Sequence, residues 1–412
     1  MGGAEQSVLS VEAARERMLS AVRPTDRESV PLHAAFRRTL ADSLLATRSQ
    51  PPFRSSAMDG YAVRSADLPL ERLRVAGEAA AGRAYPGSLE PGQAVRIFTG
   101  APVPPGADAV IPQERVRREG HDVLIDEAAN PGKNIRDLAV DFAAGSPLVR
   151  GGTPLGAGHI ALAAATGLAA LNVRRAPRIA LLATGSEIAA PGTAAGPDQI
   201  YDSVTFGLAA MIDGWGGIAV RHAATPDDAA AVSHALGDAI GAADLAVIVG
   251  GASVGDYDIV KQALAARGLD ISVPAIAVRP GKPTWFGTVA ASPILGLPGN
   301  PAAAFVCAGL FLRPLIHAFL AQQAAAPWAR AVLDGHADKN GENEAYLRAW
   351  VEVDGDARLS VRPFENQDTS LVSIFAASNA LLCRPPRAAP ARHGELVDVL
   401  LLDPGLLAAM HS

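Results

Sequence analysis

Apolar residues between positions 178 and 320 form short continuous runs, and each run leads into a glycine-containing loop and a helical stretch. The runs are Arg178–Ala183, Leu245–Val249 and residues 294–297. Strands that are covered on both faces lack polar alternation, so this pattern predicts a parallel sheet with helices on both sides. The helices are predicted at residues 203–213, 226–240, 258–266 and 301–320, the last with Asn300 as its N-cap.

The remaining sequence predicts two small β domains and a third domain in two pieces. Short apolar runs broken by glycine and proline fill residues 50–143 and return at 328–405. Residues 8–46 are predicted to form two helices, the first capped by Ser10 and the second running from Pro31 to Leu45, and another helix is predicted at 159–169. We therefore expect that the first β domain is inserted into a domain whose two flanking segments pack together.

The expected fold class is multidomain α/β plus β. It consists of a central parallel α/β domain (177–322), a helical domain built from two segments (8–48 and 144–176), an inserted small β domain (49–143) and a C-terminal β domain (327–405). A chain of 412 residues is long enough for this number of domains.

Composition and charge narrow the class of protein. The formal net charge of −6 lacks the basic excess of a general nucleic-acid or anionic-membrane binder, so neither is expected as a partner. Cys307 and Cys383 are the two cysteines and form no CxxC pair, which excludes a disulfide framework and a cysteine-based zinc motif. The N-terminal residues are polar and the most apolar stretches are shorter than the roughly 20 residues of a membrane span, so we expect a cytoplasmic protein.

Three loops at the ends of the apolar runs are the first candidates for a binding site. They are Thr184-Gly185-Ser186-Glu187, residues 250–255 and Pro298-Gly299-Asn300-Pro301. Ligands of open α/β sheets bind beyond the carboxyl ends of the strands, and the free backbone N–H groups of such loops favour anions. The alternative is that these segments are only tight turns between a strand and a helix.

Charged residues near these loops indicate a phosphate-containing ligand. Carboxylates can hold Mg²⁺ together with phosphate oxygens, although the same residues also suit helix starts. The nearby carboxylates are Glu187, Asp202, Asp227, Asp228 and Asp258. The segment Arg279-Pro280-Gly281-Lys282-Pro283 holds two cations on a rigid turn, which favours anion binding over an exposed turn with solvated charges.

A nucleophile motif also occurs within the second loop. The run Gly251-Ala252-Ser253-Val254-Gly255 matches GxSxG between a strand and a helix, the setting that this motif requires. A serine hydrolase would also need a downstream acid and histidine, and no available histidine has a distinctive setting; the candidates are His317, His336 and His393. P-loop, HExxH and HGGG motifs are absent from the sequence, so a serine hydrolase remains only an alternative.

Several motifs follow one another in an order that resembles one family. The most distinctive is Ser56-Ala57-Met58-Asp59-Gly60-Tyr61-Ala62. It is followed by Thr99-Gly100-Ala101-Pro102-Val103-Pro104, Asn134-Ile135-Arg136, the first two loops, Pro280-Gly281-Lys282-Pro283 and Leu297-Pro298-Gly299-Asn300-Pro301. Over essentially the whole chain, this order resembles the molybdopterin molybdenumtransferases of the MoeA type, which include the E domain of gephyrin.

The resemblance implies a fold and an activity. It implies four domains in an elongated homodimer, with an active cleft between the α/β domain of one subunit and the inserted β domain of the other. The substrates would be adenylated molybdopterin and molybdate; with Mg²⁺ as cofactor, molybdenum would be placed on the dithiolene and AMP released. The molybdopterin adenylyltransferase and recipient molybdoenzymes become candidate protein partners.

The resemblance also assigns roles to individual residues. No protein nucleophile is required, because the dithiolene sulfurs attack the metal, and Ser253 would donate a hydrogen bond. The expected catalytic residues are Asp59, Glu187, Asp202, Asp258 and Lys282. The expected substrate-binding residues are Thr99, Arg136, Thr184, Gly185, Ser186, Gly250, Gly251, Ser253, Gly255, Arg279, Pro298, Gly299, Asn300, Pro301 and Ser370. The expected metal ligands are Glu114, Asp141, Glu187, Asp227 and Asp228.

The chain departs from the family pattern at a few positions. Ala139 and Val140 stand where the family usually has Gly-Glu, Val204 stands where it has Asn, and Ala275 stands where it commonly has Lys. These departures support an alternative function, a diverged molybdopterin-binding carrier or scaffold with weak or no insertion activity.

Overall fold

A computed structural model describes residues 8–126, 128–250, 259–322, 327–353 and 358–402. The helices are α1 (Val11–Ser20), α2 (Ala157–Ala165), α3 (Val204–Gly214), α4 (Ala229–Ala242), α5 (Ile259–Ala265), α6 (Pro301–Cys307), α7 (Arg313–Phe319) and α8 (Val372–Ala377). The strands before residue 177 are β1 (Arg27–Pro31), β2 (Leu44–Leu45), β3 (Ser55–Ser56), β4 (Gly60–Val63), β5 (Arg72–Ala79), β6 (Gln93–Ile97), β7 (Ala109–Pro112), β8 (Val116–Glu119), β9 (Asp122–Ile125), β10 (Ile135–Arg136), β11 (Pro147–Val149) and β12 (Ala170–Arg174). The later strands are β13 (Arg178–Ala183), β14 (Ile188–Ala189), β15 (Ile200–Tyr201), β16 (Ile218–Arg221), β17 (Leu245–Val249), β18 (Asp270–Val273), β19 (Val278–Arg279), β20 (Trp285–Val289), β21 (Ser292–Leu297), β22 (Trp328–Leu333), β23 (Glu344–Val353), β24 (Leu359–Pro363), β25 (Ala380–Arg384) and β26 (Leu396–Leu401).

The central sheet confirms the predicted parallel α/β architecture. Its order is β16-β13-β17-β21-β20-β18, with the first four strands parallel and the last two antiparallel. Alternate residues of β13 belong to different hydrophobic clusters, Ile179 and Leu181 to one and Ala180 and Leu182 to the other. Both faces of the sheet are therefore covered, which explains why the strand reads as one continuous apolar run.

The chain from Pro301 to Phe319 forms a long helix within this core. The segments α6 and α7 are joined by a π-helical turn, Ala308–Leu312. The 19 residues, with a mean hydropathy of 1.7, are long and apolar enough to cross a membrane, but 72% of that stretch is buried inside the protein. Such extensive burial is typical of a helix in the core of a folded domain. Asn300 occupies the predicted N-cap position, yet its side chain makes no capping bond and instead donates to Thr369 Oγ1 at 2.9 Å.

The two segments that flank the inserted domain pack against each other. Strand β1 pairs with β12 and β2 pairs with β11, and residues of both segments share one hydrophobic cluster. The prediction of a second helix from Pro31 to Leu45 is wrong, because this run contains only a 3₁₀ turn, Leu32–Ala34, followed by β2. Arg37 has a φ of 63°, a left-handed conformation that ends any helix, and pairing with the later segment satisfies the backbone instead.

Helix α1 is confirmed but belongs to a different core. Ser10 caps it as predicted, its Oγ accepting from the Ala13 N–H at 3.2 Å. Its buried residues Val11, Ala14 and Met18 join the hydrophobic cluster of the α/β sheet rather than the cluster around α2. The first helix of the chain therefore packs on the α/β unit.

Both predicted β domains are built from sheets. The inserted unit has the strand order β7-β4-β6-β5-β9-β8. In the C-terminal unit, strands β23-β24-β22-β26-β25 form a closed ring, since β25 pairs again with β23. Strand β19 pairs in parallel with the first two residues of β23. The turn that begins at Arg279 therefore starts at the junction between the α/β unit and the barrel.

Candidate functional site

The glycine loops meet at one edge of the central sheet. Because β13, β17 and β21 are adjacent and parallel, their carboxyl ends lie side by side. The Thr184 N–H donates to the Val249 carbonyl at 2.9 Å and the Gly250 N–H donates to the Leu297 carbonyl at 3.2 Å. Gly250 has a φ of 93°, and a Cβ there would lie 2.6 Å from the Thr184 carbonyl oxygen. Only glycine therefore allows these two loops to approach so closely.

Two polar groups in these loops have no hydrogen-bond partner among the described residues. The Thr184 hydroxyl is buried and forms no hydrogen bond with any residue that the structure describes. The N–H of Gly299, just before α6, likewise donates to none of the described residues. A buried hydroxyl and a free amide at the start of a helix are the features of an anion cradle.

Two carboxylates flank the Thr184–Glu187 loop. The Ser186 N–H donates to Asp227 Oδ2 at 3.3 Å, and the Asp227 N–H donates to Ser186 Oγ at 3.3 Å. The Glu187 carboxylate folds over Gly185, where an added Cβ would lie 2.7 Å from Glu187 Oε2. Among the described residues, no three His, Cys, Asp or Glu side chains are grouped as a metal site. One or two carboxylates beside a phosphate cradle are the protein ligands that Mg²⁺ requires, so these residues fit that ion.

Two other predicted acidic site residues cap helices. Asp202 is buried, accepts from the Thr205 N–H at 3.0 Å and lies 3.7 Å from Arg221. Asp228 is the N-cap of α4 and accepts from the Ala231 N–H at 2.8 Å. The structure thus shows the capping role that the sequence left open for both, and their catalytic and metal-binding roles remain predictions.

The turn between β19 and β20 is flanked by two cations. Arg279 and Lys282 are exposed, and neither forms an ion pair with a described residue. Gly281 between them is buried with a φ of 115°, and a Cβ there would lie 2.0 Å from Cys307 Sγ. Burial is the larger effect and raises the pKa of Cys307 to about 12, although a hydrogen bond from Thr284 acts in the opposite direction. The thiol is therefore a neutral packing group beneath the turn.

A cavity of about 890 Å³ lies between this turn and the C-terminal barrel. Arg279, Pro280, Gln367 and Thr369 are among its lining residues. Thr369 also contacts the third glycine loop, because its carbonyl accepts from the Ala302 N–H at 3.0 Å and its hydroxyl accepts from Asn300. The cavity therefore adjoins the start of α6.

A buried arginine holds the loop that contains Ser370. Arg348 is 1% exposed; its Nε donates to Gln367 Oε1 at 3.2 Å and its Nη1 to the Asp368 carbonyl at 2.6 Å. The Ser370 hydroxyl donates to Asp368 Oδ1 at 2.8 Å, and the two bonds from Ser370 lower the pKa of Asp368. Ser370 thus lies on a loop with a well-defined hydrogen-bonding pattern at the rim of the cavity.

The sequence did not indicate two polar residues of this cavity. Asn340 and Arg384 are 5% and 7% exposed, and both line it. Asn340 Oδ1 and Arg384 Nε are buried without a hydrogen-bond partner among the described residues. Neither belongs to a recognisable motif, so only a tertiary structure could find them.

A second group of predicted residues lies on the inserted unit. Asp59 Oδ1 accepts from the Thr99 N–H at 2.7 Å and from the Thr99 hydroxyl at 2.8 Å. These two bonds, with the Arg96 charge as a smaller cause, lower the pKa of Asp59. Gln113 donates its N–H to the Asp59 carbonyl at 3.0 Å and its Nε2 to Glu114 at 3.2 Å. Asp59, Thr99 and Glu114 are therefore neighbours.

Arg136 and Asp141 lie on exposed segments of the same unit. Arg136 belongs to β10, which pairs with β3 and so lies beside the start of the Ser56–Ala62 motif. The Asp141 N–H donates to the Gln50 carbonyl at 3.0 Å. No hydrogen bond or ion pair between described residues joins this unit to the glycine loops. A cleft formed by two subunits remains a prediction. Gly251, Ser253, Gly255 and Asp258 lie outside the described residues.

One departure from the family pattern has a structural consequence. Ala139 has a φ of 63°, the left-handed region that favours glycine, which is the residue that the family usually has there. We expect Ala139→Gly to raise the free energy of unfolding by about 0.5–1 kcal/mol, because relief of the Cβ strain outweighs the extra chain entropy. Urea unfolding of the full chain measures this, with Ala157→Gly in α2 as a control that should lower stability. Loss of stability in Ala139→Gly would contradict the backbone geometry.

Family models match all three parts of the chain. Residues 9–167 match the MoeA N-terminal region (domain I and II), residues 180–318 match a probable molybdopterin binding domain, and residues 330–402 match the MoeA C-terminal region (domain IV).

Known proteins agree with these matches along nearly the full length. A molybdopterin molybdenumtransferase of Nostoc sp. is 36% identical over 92% of this chain and 89% of its own length. Molybdopterin molybdenumtransferase 2 of Mycobacterium tuberculosis is 41% identical over 72% of this chain and 75% of its own length. The crystal structure of a molybdopterin biosynthesis MoeA protein from Pyrococcus horikosii is similar with a TM-score of 0.86 at 30% identity, covering 96% of this chain and 100% of that one. The chain therefore belongs to the MoeA-type molybdopterin molybdenumtransferase family.

Proposed function

We propose that this protein inserts molybdenum from molybdate into the dithiolene of adenylated molybdopterin and releases AMP. The proposal rests on the polar groups of the glycine loops together with the two cations of the neighbouring turn, which have no hydrogen-bond or ion-pair partner in the part of the chain that the structure describes. Molybdate and the pyrophosphate are both anions, and bringing them together requires such positive potential.

The residues of the site act by binding and charge stabilisation. The Gly299 N–H and the Thr184 hydroxyl would hold phosphate or molybdate oxygens, and Arg279 and Lys282 would offset their repulsion. A Mg²⁺ ion held by Glu187 and Asp227 would stabilise the negative charge that develops on the leaving AMP. Asp59 would act from the opposite side of the cleft. No protein nucleophile is needed, because the dithiolene sulfurs form the new bonds to molybdenum.

Further features of the proposal come from the family resemblance. The homodimer, the Mg²⁺ requirement, the cytoplasmic location and docking by an adenylyltransferase or recipient molybdoenzymes remain predictions.

The decisive experiment is an AMP-release assay with the purified full chain. Adenylated molybdopterin, molybdate and Mg²⁺ are combined, and each is omitted in turn. We expect AMP release that depends on molybdate and that is accompanied by activation of an apo-molybdoenzyme. Tight pterin binding without AMP release would reject the proposal in favour of a carrier. In that case Ala275→Lys tests whether a lost cation explains the missing turnover.

A further inference from the structure

A second cavity, of about 370 Å³, lies at the far end of the long core helix. It is an open pocket between α1, α7 and the barrel strands β22 and β26, and we call it the basic pocket; its lining residues include Arg15, Leu19, Arg313, His317, Trp328 and Leu400. At 1.5 Å per residue, Arg313 is about 18 Å from Pro301 along the helix axis, so this pocket is separate from the glycine loops.

Arg313 is the unusual residue of the basic pocket. Its Nε is buried without a hydrogen-bond partner, and its guanidinium forms no ion pair with any residue in the described part of the chain. Burial alone lowers the pKa of Arg313. Arg313 is half-buried, and because removing part of a guanidinium from water is costly, a negatively charged group in the pocket would stabilise it.

The other polar residues of the pocket do not supply a negative charge. No Asp or Glu is among the lining residues that the structure describes. Arg15 is bonded to Glu12 on the outer surface of α1. Burial and the charge of Arg313 lower the pKa of His317 to about 4, so the imidazole is neutral near pH 7, and its side chain bonds to no described residue. Among the residues that the structure describes, the lining groups therefore supply positive charge and no carboxylate.

Most of the remaining wall is apolar, and Gln322 is a further polar residue in it. Leu19, Ala318, Pro327 and Leu400 line the pocket together with Trp328, which is 39% exposed. The volume lies in the range of small-molecule sites and is too small for a dinucleotide. A ligand that fits must therefore combine one anionic group with an apolar body.

We propose that the basic pocket binds a small aromatic carboxylate, whose carboxylate pairs with Arg313 and whose ring packs on Trp328. A planar carboxylate matches the guanidinium fork in a bidentate arrangement, and an aromatic ring covers the exposed indole. This proposal does not rest on the proposed function, because binding is measured without turnover.

The test uses phenylacetate as the probe and the full chain. The indole N–H resonance of Trp328, assigned with Trp328→Phe, is followed by NMR during titration with phenylacetate, phenylacetamide or acetate. We expect saturable shifts with phenylacetate and an affinity at least about tenfold weaker for each of the other two, since one lacks the charge and the other the ring. Equal affinity for phenylacetate and phenylacetamide would overturn the proposal without any variant.

Variants locate the contact. Arg313→Gln is expected to weaken phenylacetate binding at least about tenfold while AMP release stays unchanged, and Arg313→Lys should retain part of the affinity. Arg37→Gln, an exposed arginine of the two-segment unit, serves as the control and should bind as the unaltered protein does. Undiminished binding by folded Arg313→Gln would also overturn the proposal.

Discussion

Gly281→Ala is expected to lower the free energy of unfolding by about 3 kcal/mol or more and to reduce AMP release. Two effects combine at this position. The φ of 115° is unfavourable for any residue with a Cβ, and the new methyl group would lie 2.0 Å from Cys307 Sγ. The turn must shift to relieve the contact, and Arg279 and Lys282 on either side of Gly281 move with it. Urea unfolding and the AMP assay measure the two consequences.

A double variant separates the steric contact from the backbone strain. Cys307→Ala removes the sulfur that the new methyl group meets. In the Cys307→Ala background, Gly281→Ala should therefore lower the free energy of unfolding by about 1–2 kcal/mol less than it does in the unaltered protein, while the strain at φ persists. Gly241→Ala in α4 is the control, because no heavy atom lies within 4 Å of its added Cβ, and stability should rise by about 0.5–1 kcal/mol there. A Gly281→Ala protein as stable as the unaltered chain would show that the turn is not packed on Cys307.

Asp59→Asn is expected to reduce AMP release about 100-fold without changing the fold. The hydrogen bonds from Thr99 lower the pKa of Asp59, so its carboxylate is charged at neutral pH. An asparagine oxygen can still accept both Thr99 bonds, and the substitution therefore removes the charge while retaining the local geometry. Asp122→Asn, which removes an exposed ion pair with Arg72 in the same sheet, is the control and should retain activity. Full activity in Asp59→Asn would remove Asp59 from the catalytic residues.

Mixing two inactive variants tests whether the cleft is shared between subunits. If Asp59 of one subunit acts with Lys282 of the other, co-expressed Asp59→Asn and Lys282→Met chains form heterodimers with one intact cleft. Random pairing should then restore about a quarter of the normal activity. Activity no higher than that of the two separate variants would show that both residues serve a cleft within one chain.

The glycine loops at the sheet edge were predictable because each signal is local. A strand buried on both faces is apolar at every buried position, as in residues 179–183, and a loop after such a strand needs glycine where backbones approach, as at Gly250 after β17. Local signals gave a wrong prediction, a helix, at residues 31–45. Apolar spacing there suits either a helix or a strand, and pairing of β2 with β11, more than 100 residues later, favours the strand.

Long-range neighbours account for the features that sequence reasoning could not reach. The cavity lined by Asn340 and Arg384 lies where β19 pairs with the barrel strand β23, and the pocket lined by Arg313 lies where α1 meets two barrel strands. Residue type and spacing specify strands, caps and tight turns, since those depend on nearest neighbours. The burial of a polar side chain depends on which distant segments pack against it, so it is decided only by the tertiary structure.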